Sequence, residues 1–457
     1  MENTSEEPPD RRLKRVLGVF DTYALVHADV QSTFYFLAGF IALAAGGFAF
    51  LSTIYGVLLL AAIALIYGEM AARFPKAGGS YIYVTYAFGG AAGYLAAWLL
   101  ALDQAIMIGY GVIDAAKIFN KVSGLSEVGL AVVFSTAIFV LTLLGVKKSA
   151  NVAKTFAAMD LALVATLIAT ALALHPASPP FFKWGGIEGV NLLLAFSLLS
   201  RGFTGIDAVG QLAGEVKKPR VYIRRAMWTL VAIGAIQGLG LMAAITSALT
   251  PTELKDPAIA PLYLAEKIHP AVFYLMAFNI FAVMLMAALT GYLAFSRLLY
   301  RFAESGLLPE AFSRLHNRFK TPYIPLALAY LISLTLVYIG EVEVILAIYA
   351  IGSLINYLVV SLALAKMSRR GLNTFAVGGF VWVAVFLIPL GIALALLEKY
   401  RYIWVLAVWM AIGAVLYKRR YVVALYRNLI DVSMTSIRAM LIAARKELFY
   451  LQRGRRL

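Results

Sequence analysis

The chain contains no cysteine and only four histidines. The first absence excludes disulfides and thiolate metal sites. The second, with no nucleophile elbow and no metal-ligand spacing, leaves a membrane enzyme without its usual chemistry, and no cofactor is expected. Charge is scarce too. Asp, Glu, Lys and Arg make up 14% of the residues, against about 25% in an average soluble domain. No linker, low-complexity tract or repeat of solenoid period divides the chain.

Apolar residues fill the gap, at 62% against the usual figure of about 45–50%. This predicts an all-α integral membrane protein. Apolar segments of roughly 17–25 residues, enough to cross a bilayer as helix, recur along the chain. They fall near 17–44, 47–71, 84–113, 126–145, 153–174, 189–214, 226–249, 270–300, 323–339, 343–365, 375–397 and 402–417, twelve transmembrane helices in all. The net charge of +16 invites a nucleic-acid reading, but its distribution argues otherwise. With the N-terminus inside, 32 Lys and Arg fall in cytoplasmic segments and 7 in outer loops. Such a bias orients a plasma-membrane protein with both termini cytoplasmic. No nucleic-acid partner is needed to explain it; the partner is the lipid bilayer.

The ends differ from the middle. Residues 1–16 are polar, carry Arg11, Arg12, Lys14 and Arg15, and have no apolar core. They read as a cytoplasmic tail and not a cleaved signal. Residues 17–421 form the transmembrane domain. In 422–457, Ile430, Met434, Ile437, Leu441, Ala444, Leu448 and Leu451 step by alternating fours and threes, with Arg427, Arg438, Arg445 and Lys446 between them. This is a basic amphipathic helix. It is expected to lie on the anionic inner leaflet, with a coiled-coil contact in a homodimer as the alternative.

Two spans look interrupted. In span 6, R-G-F-T-G-I-D-A-V-G-Q-L-A-G-E (201–215), Gly202 and Gly205 flank Phe203 and Thr204. Glycines this dense destabilise a helix by about 1 kcal/mol each, which predicts unwinding near 202–206. Unwound backbone at membrane depth is tolerated where it is buried in protein or lines a cavity. In span 1, V-H-A-D-V-Q-S-T-F-Y-F (26–36) places His27 and Asp29 in an apolar run at the matching position. A pair of interrupted spans at corresponding places in two halves points to a transporter built from inverted repeats, its site near the midplane.

Three stretches make the chain resemble the amino acid–polyamine–organocation (APC) superfamily of secondary transporters. They are Y-G-E-M-A-A-R-F-P-K-A-G-G-S-Y-I-Y-V-T-Y-A-F-G (67–89), F-T-G-I-D-A-V-G-Q-L-A-G-E-V-K-K-P-R (203–220) and S-R-L-L-Y-R-F-A-E-S-G-L-L-P-E-A-F (296–312). The resemblance implies a five-plus-five inverted repeat with two further helices. Helices 1 and 6 would be discontinuous, with alternating access around them. The activity implied is transport of amino acids or related amines, coupled to H⁺ or Na⁺. One feature departs from the family. Where amino acid carriers usually have Gly-x-Gly in span 1, this chain has Ser32 and Phe34, and a Phe side chain blocks close backbone approach.

Asp29 then has three readings: an ion pair with a substrate amine, uptake of a coupling proton, or direct binding of a metal cation. The third rests on D-V-Q-S-T-F-Y (29–35), which resembles a run in the potassium-importing branches of the superfamily. The substrate site expected from these arguments comprises Asp29, Ser32, Thr33, Phe34 and Tyr35 in span 1, Met107 in span 3, and Arg201, Phe203, Thr204 and Gly205 in span 6. Arg201 would clamp a substrate carboxylate or pair with Asp29, Asp103 or Asp160. Coupling-ion candidates are Asp160 in span 5, Asp29 and Thr290. His27 reads as a packing residue more readily than as a proton relay. Glu69, Asp207 and Glu215 read as gate or helix-end contacts.

Overall fold

The first span is a single helix in the computed structural model, which describes residues 13–175, 189–203, 205–339, 342–367, 406–415 and 417. Helix α1 runs unbroken from Val19 to Ala45. The expected discontinuity of helix 1 is therefore corrected, and the reason is local. No glycine or proline lies between Gly18 and Gly39. The two hydroxyls at the supposed break, Ser32 and Thr33, both donate to the Asp29 carbonyl at 3.3 Å. Hydroxyls that bond back to the preceding turn leave a helix intact and at most bend it.

The second expected interruption is present. Helix α2 (Ala49–Arg73) is followed, beyond Pro75, Gly78 and Gly79, by α3 (Ser80–Phe88) and the long α4 (Gly90–Ser123). Next come α5 (Glu127–Leu143) and α6 (Val146–Leu174). The sixth span is split into α7 (Gly189–Gly202) and the short α8 (Ala208–Leu212). Gly205 lies between them at φ +96°, a backbone region that side chains disfavour. After α9 (Pro219–Ala248), two single turns, Pro251–Glu253 and Pro257–Ile259, lead into α10 (Ala260–Ile268) and α11 (Pro270–Glu304). Helices α12 (Tyr323–Ile339) and α13 (Val342–Met367) follow, and a further apolar helix spans Leu406–Val415.

Among the described residues, Val19–Arg73, Gly90–Ser123, Val146–Leu174, Pro219–Ala248 and Pro270–Glu304 are long and apolar enough to cross a membrane. Glu127–Leu143 and Tyr323–Ile339 are shorter apolar helices. The span expected at 375–397 and the basic helix expected at 422–457 lie outside the described residues. The only β pairing among them is an isolated bridge between Leu17 and Val216. The chain divides into two compact units, Met1–Trp409 and Met410–Leu457. Of the second, only 410–415 and Tyr417 are described.

Within the first unit α1 is the central element. It packs against α6, α7, α9 and α11, while α4 runs along α11 and α2 along α9. Every α1 residue from Asp21 to Tyr35 is buried, polar ones included. One end of α1 is closed by polar contacts. Lys147 and Lys154 both reach Asp21, at 2.5 and 2.9 Å, and the backbone of Val16 and Leu17 donates to the Glu215 carbonyl. Toward its other end α1 packs against the turn at Pro257. A Cβ on Gly39 would lie 2.3 Å from the Pro257 carbonyl oxygen, so glycine is required for this approach.

Candidate functional site

Two polar centres lie along α1. The first is at the break in span 6. Asp29 is 1% exposed, and its carboxylate fills the space beside Gly205, where a Cβ would lie 2.6 Å from the Asp29 Cγ. The freed Gly205 N–H donates to the Tyr357 hydroxyl of α13 at 3.2 Å. That hydroxyl donates in turn to Asp207 Oδ1 at 2.7 Å. The unwound segment is thus tied through one tyrosine to the start of α8, and buried backbone groups off the helix are expected to find such partners.

Aromatic packing steadies the same region. The Phe34 and Phe203 rings are 4.9 Å apart. Phe203 sits in a slot made by two glycines, since a Cβ on Gly56 of α2 or Gly238 of α9 would lie 2.5 or 2.7 Å from its ring. The sequence places both phenylalanines in the substrate site; the structure seats Phe203 between two helices.

The second centre surrounds Asp160 on α6, which is fully buried. Its Oδ2 accepts from His27 Nε2 at 2.9 Å and from Gln237 Nε2 at 2.8 Å. Its Oδ1 accepts from the Tyr35 hydroxyl and from Asn279 Nδ2, both at 2.7 Å. Beyond His27, the Tyr23 hydroxyl meets Nδ1 at 3.0 Å. These donors come from α1, α9 and α11, so one carboxylate joins four helices. A carboxylate offers about four lone-pair positions, and all four are used. His27 is buried with both ring nitrogens hydrogen-bonded within this centre. Gln237, Asn279 and Tyr23 were not anticipated from the sequence. The signal for the two amides was present: polar groups within apolar spans face the protein interior.

Residues 17–416 match the model of the family described as amino acid permease. The chain belongs to the amino acid permease family. A branched-chain amino acid permease of Lactococcus lactis, BcaP, is 24% identical over 398 residues, covering 79% of this chain and 83% of its own. The methylthioribose transporter of Bacillus subtilis is 21% identical over 445 residues, covering 91% and 95%. The low-affinity putrescine importer PlaP of Escherichia coli is 24% identical over 334 residues, covering 68% and 72%. This permease is thus a multi-pass membrane transporter for a small molecule and not an enzyme.

The structure of the permease sorts the remaining candidates. It brings Asp29 to Gly205 and Tyr35 to Asp160. Ser32 and Thr33 direct their hydroxyls to the Asp29 carbonyl. Thr290 on α11 donates to the carbonyls of Leu25 and Met286, linking α11 to α1. Met107 is buried on α4, one turn from Gly111, where a Cβ would lie 2.7 Å from the Met284 carbonyl oxygen. Thr204 and the Arg201 side chain lie outside the described residues.

The potassium-importing alternative gains no support. The relatives above are named for amino acids, methylthioribose and putrescine. A hard cation wants several oxygens converging on it. Here the hydroxyls of Ser32, Thr33 and Tyr35 are engaged elsewhere.

Of the expected gate contacts, Glu215 forms a buried two-pronged pair with Arg297, at 2.9 and 3.1 Å. Glu69 pairs with Arg73 and Arg224 at 2.7 and 2.6 Å.

Proposed function

We propose that this permease is a secondary active transporter that moves amino acids or related amines across the plasma membrane by alternating access, coupled to protons or sodium. The observation that carries the reading is a buried carboxylate, Asp29, held against the broken backbone at Gly205 in a chain of the amino acid permease family. A carboxylate at bilayer depth costs at least about 2.5–3.5 kcal/mol on insertion scales. A positively charged substrate amine offsets that penalty each time it binds. Ser32, Thr33 and Thr204 are the candidate hydroxyls, those of Ser32 and Thr33 turning from the Asp29 carbonyl to the substrate, and Phe34 is the candidate apolar wall. Arg201, in the last turn of α7, is the candidate for receiving a substrate carboxylate. Twelve spans, both termini in the cytoplasm and a basic amphipathic segment at 422–457 lying on the inner leaflet, with a homodimer contact as its alternative role, complete the proposal.

The test is flux and binding in reconstituted liposomes with labelled leucine, arginine and putrescine. Wild type should accumulate at least one of them against its gradient. Asp29→Asn keeps the shape of the site and removes its charge. It should lose roughly 2–5 kcal/mol of affinity, the usual effect of removing one member of a buried charge pair. Binding by Asp29→Asn as tight as wild type, with the same pH dependence, would show that Asp29 is neither ligand nor proton carrier.

A further inference from the structure

Helix α9 shows one face to the outside of the protein. Val221, Arg225, Trp228, Ala232 and Ile236 are exposed along it. At about 100° per residue they fall within one stripe about 80° wide. Ile223, Ala226, Met227 and Leu230, on the other side, are buried. An exposed apolar stripe on a spanning helix faces lipid, and Arg225 is its one charge. From Arg225 to Ala248, where α9 ends, the rise is about 35 Å, against a hydrocarbon core of about 30 Å. Arg225 therefore stands at headgroup level. Trp228, about 4.5 Å deeper, stands at the interfacial level that tryptophan favours.

The same face closes one side of a cleft. Val19 and Phe20, the first residues of α1, meet Arg224, Arg225, Trp228 and Thr229 across an open cleft of about 610 Å³. Phe20 is 71% and Trp228 51% exposed. Two exposed aromatic rings and two guanidinium groups thus share one cleft.

Its charge is not balanced. Arg224 donates to Glu69 Oε2 at 2.6 Å, yet its side chain stays 55% exposed. Glu69 also holds Arg73. The Arg225 side chain makes no ion pair or hydrogen bond among the described residues. No Asp or Glu occurs from 216 to 248. Phosphate oxygens take guanidinium N–H groups two at a time, and acyl chains cover aromatic rings. Basic pockets between spanning helices on the inner side select anionic headgroups for this reason.

We propose that the cleft between the start of α1 and α9 binds one anionic phospholipid of the inner leaflet. Its phosphate lies on Arg225 and Arg224 and its acyl chains along Phe20 and Trp228. The lipid clips the end of the central helix α1 to α9. Arg224 carries its effect to the Glu69 pair, since one guanidinium then serves two anions. The side of the membrane comes from the topology proposed above; the binding test depends neither on it nor on any substrate.

Two measurements on the full chain test the site. The first is quenching of Trp228 fluorescence by phospholipids brominated on their acyl chains, in mixed bilayers. The Trp228 signal is the difference between each protein and the same protein carrying Trp228→Phe. Brominated phosphatidylglycerol should quench Trp228 more than brominated phosphatidylcholine at the same mole fraction. Arg225→Gln should cut that preference about fivefold, the effect of one basic residue at an anionic surface, and Arg225→Lys should keep most of it. Lys217→Gln removes an exposed charge outside the cleft and should leave the preference unchanged. The second is melting temperature in detergent. Phosphatidylglycerol should raise it more than phosphatidylcholine does, as a ligand of the folded state must, and the difference should shrink in Arg225→Gln. Equal quenching by the two lipids in wild type overturns the proposal. An equal fall in Lys217→Gln and Arg225→Gln also overturns it, because the attraction would then be diffuse. Inorganic phosphate that raises the melting temperature as far as phosphatidylglycerol would make the cleft a free-anion site and overturn the lipid assignment.

Discussion

The carboxylate of Asp29 and the α-carbon of Gly205 share one space between two helices, because a Cβ on Gly205 would lie 2.6 Å from the Asp29 Cγ. The interruption of span 6 is what admits a charged side chain from an uninterrupted span 1. Only one of the two helices has to break. Gly205 also holds φ at +96°, so a substitution there is strained twice, by its own backbone and by its neighbour.

Gly205→Ala should therefore lower thermal stability, with the backbone part alone worth about 1–3 kcal/mol, and should abolish substrate binding. If the steric half of the argument is right, Asp29→Ala relieves it. The double variant should then be less unstable than the sum of the singles, as expected for residues in direct contact. Melting temperatures in detergent for the four members of the cycle decide this. Additive effects would show that the two residues do not compete for space.

A second prediction concerns Glu215 and Arg297. Both are buried, and they form two parallel hydrogen bonds. The carbonyl of Glu215 also holds the backbone of Val16 and Leu17. Removing one partner of a buried pair leaves an uncompensated charge and costs about 3–5 kcal/mol. Arg297→Met should fall in that range, and Arg297→Met with Glu215→Met should recover much of the loss. Loosening this contact should also open one face of the protein. Faster labelling of a cysteine placed at Leu17 in the Arg297→Met background would report that opening, against slow labelling in the parent.

The cysteine-free sequence makes orientation directly testable. The positive-inside distribution places 314–320 in the cytoplasm and 251–259 outside. Asn317→Cys should react with an impermeant maleimide only after the membrane is opened, and Ala258→Cys in intact cells. The reverse pattern would invert the proposed topology.

Apolar length is a local property, so individual helices were readable: the segment expected at 323–339 is α12 to the residue, and α1 begins two residues from its expected start. The break in span 6 was readable because glycine signals unwinding through its own backbone. The break assigned to span 1 had no such signal. It came from correspondence with span 6, and a segment without glycine or proline simply stayed helical. The Asp160 centre was half legible. The acid in an apolar span marked it, but its four donors lie 77 to 133 residues away in sequence. Only the packing of α1, α9 and α11 around α6 could assemble them.

The last prediction tests what holds the break in shape. Tyr357 accepts from the Gly205 N–H at 3.2 Å and donates to Asp207 at 2.7 Å, and it is 2% exposed. Its ring packs edge-on against Tyr67, with centroids 5.6 Å apart. Tyr357→Phe preserves that ring packing and removes only the hydroxyl. It leaves the Gly205 N–H without this acceptor at a buried position, which costs about 1–3 kcal/mol. Asp207→Asn keeps a side-chain carbonyl at the other end of the link, so the Tyr357 hydroxyl can still donate to it and still accept from Gly205. If Tyr357 acts as the strut of the unwound segment, Tyr357→Phe should weaken substrate binding more than Asp207→Asn. Faster hydrogen exchange in Tyr357→Phe should be confined to the peptide spanning 203–208. Equal losses from the two variants, with exchange unchanged over that peptide, would mean that the break is held by the Asp29 contact and the Phe203 slot alone.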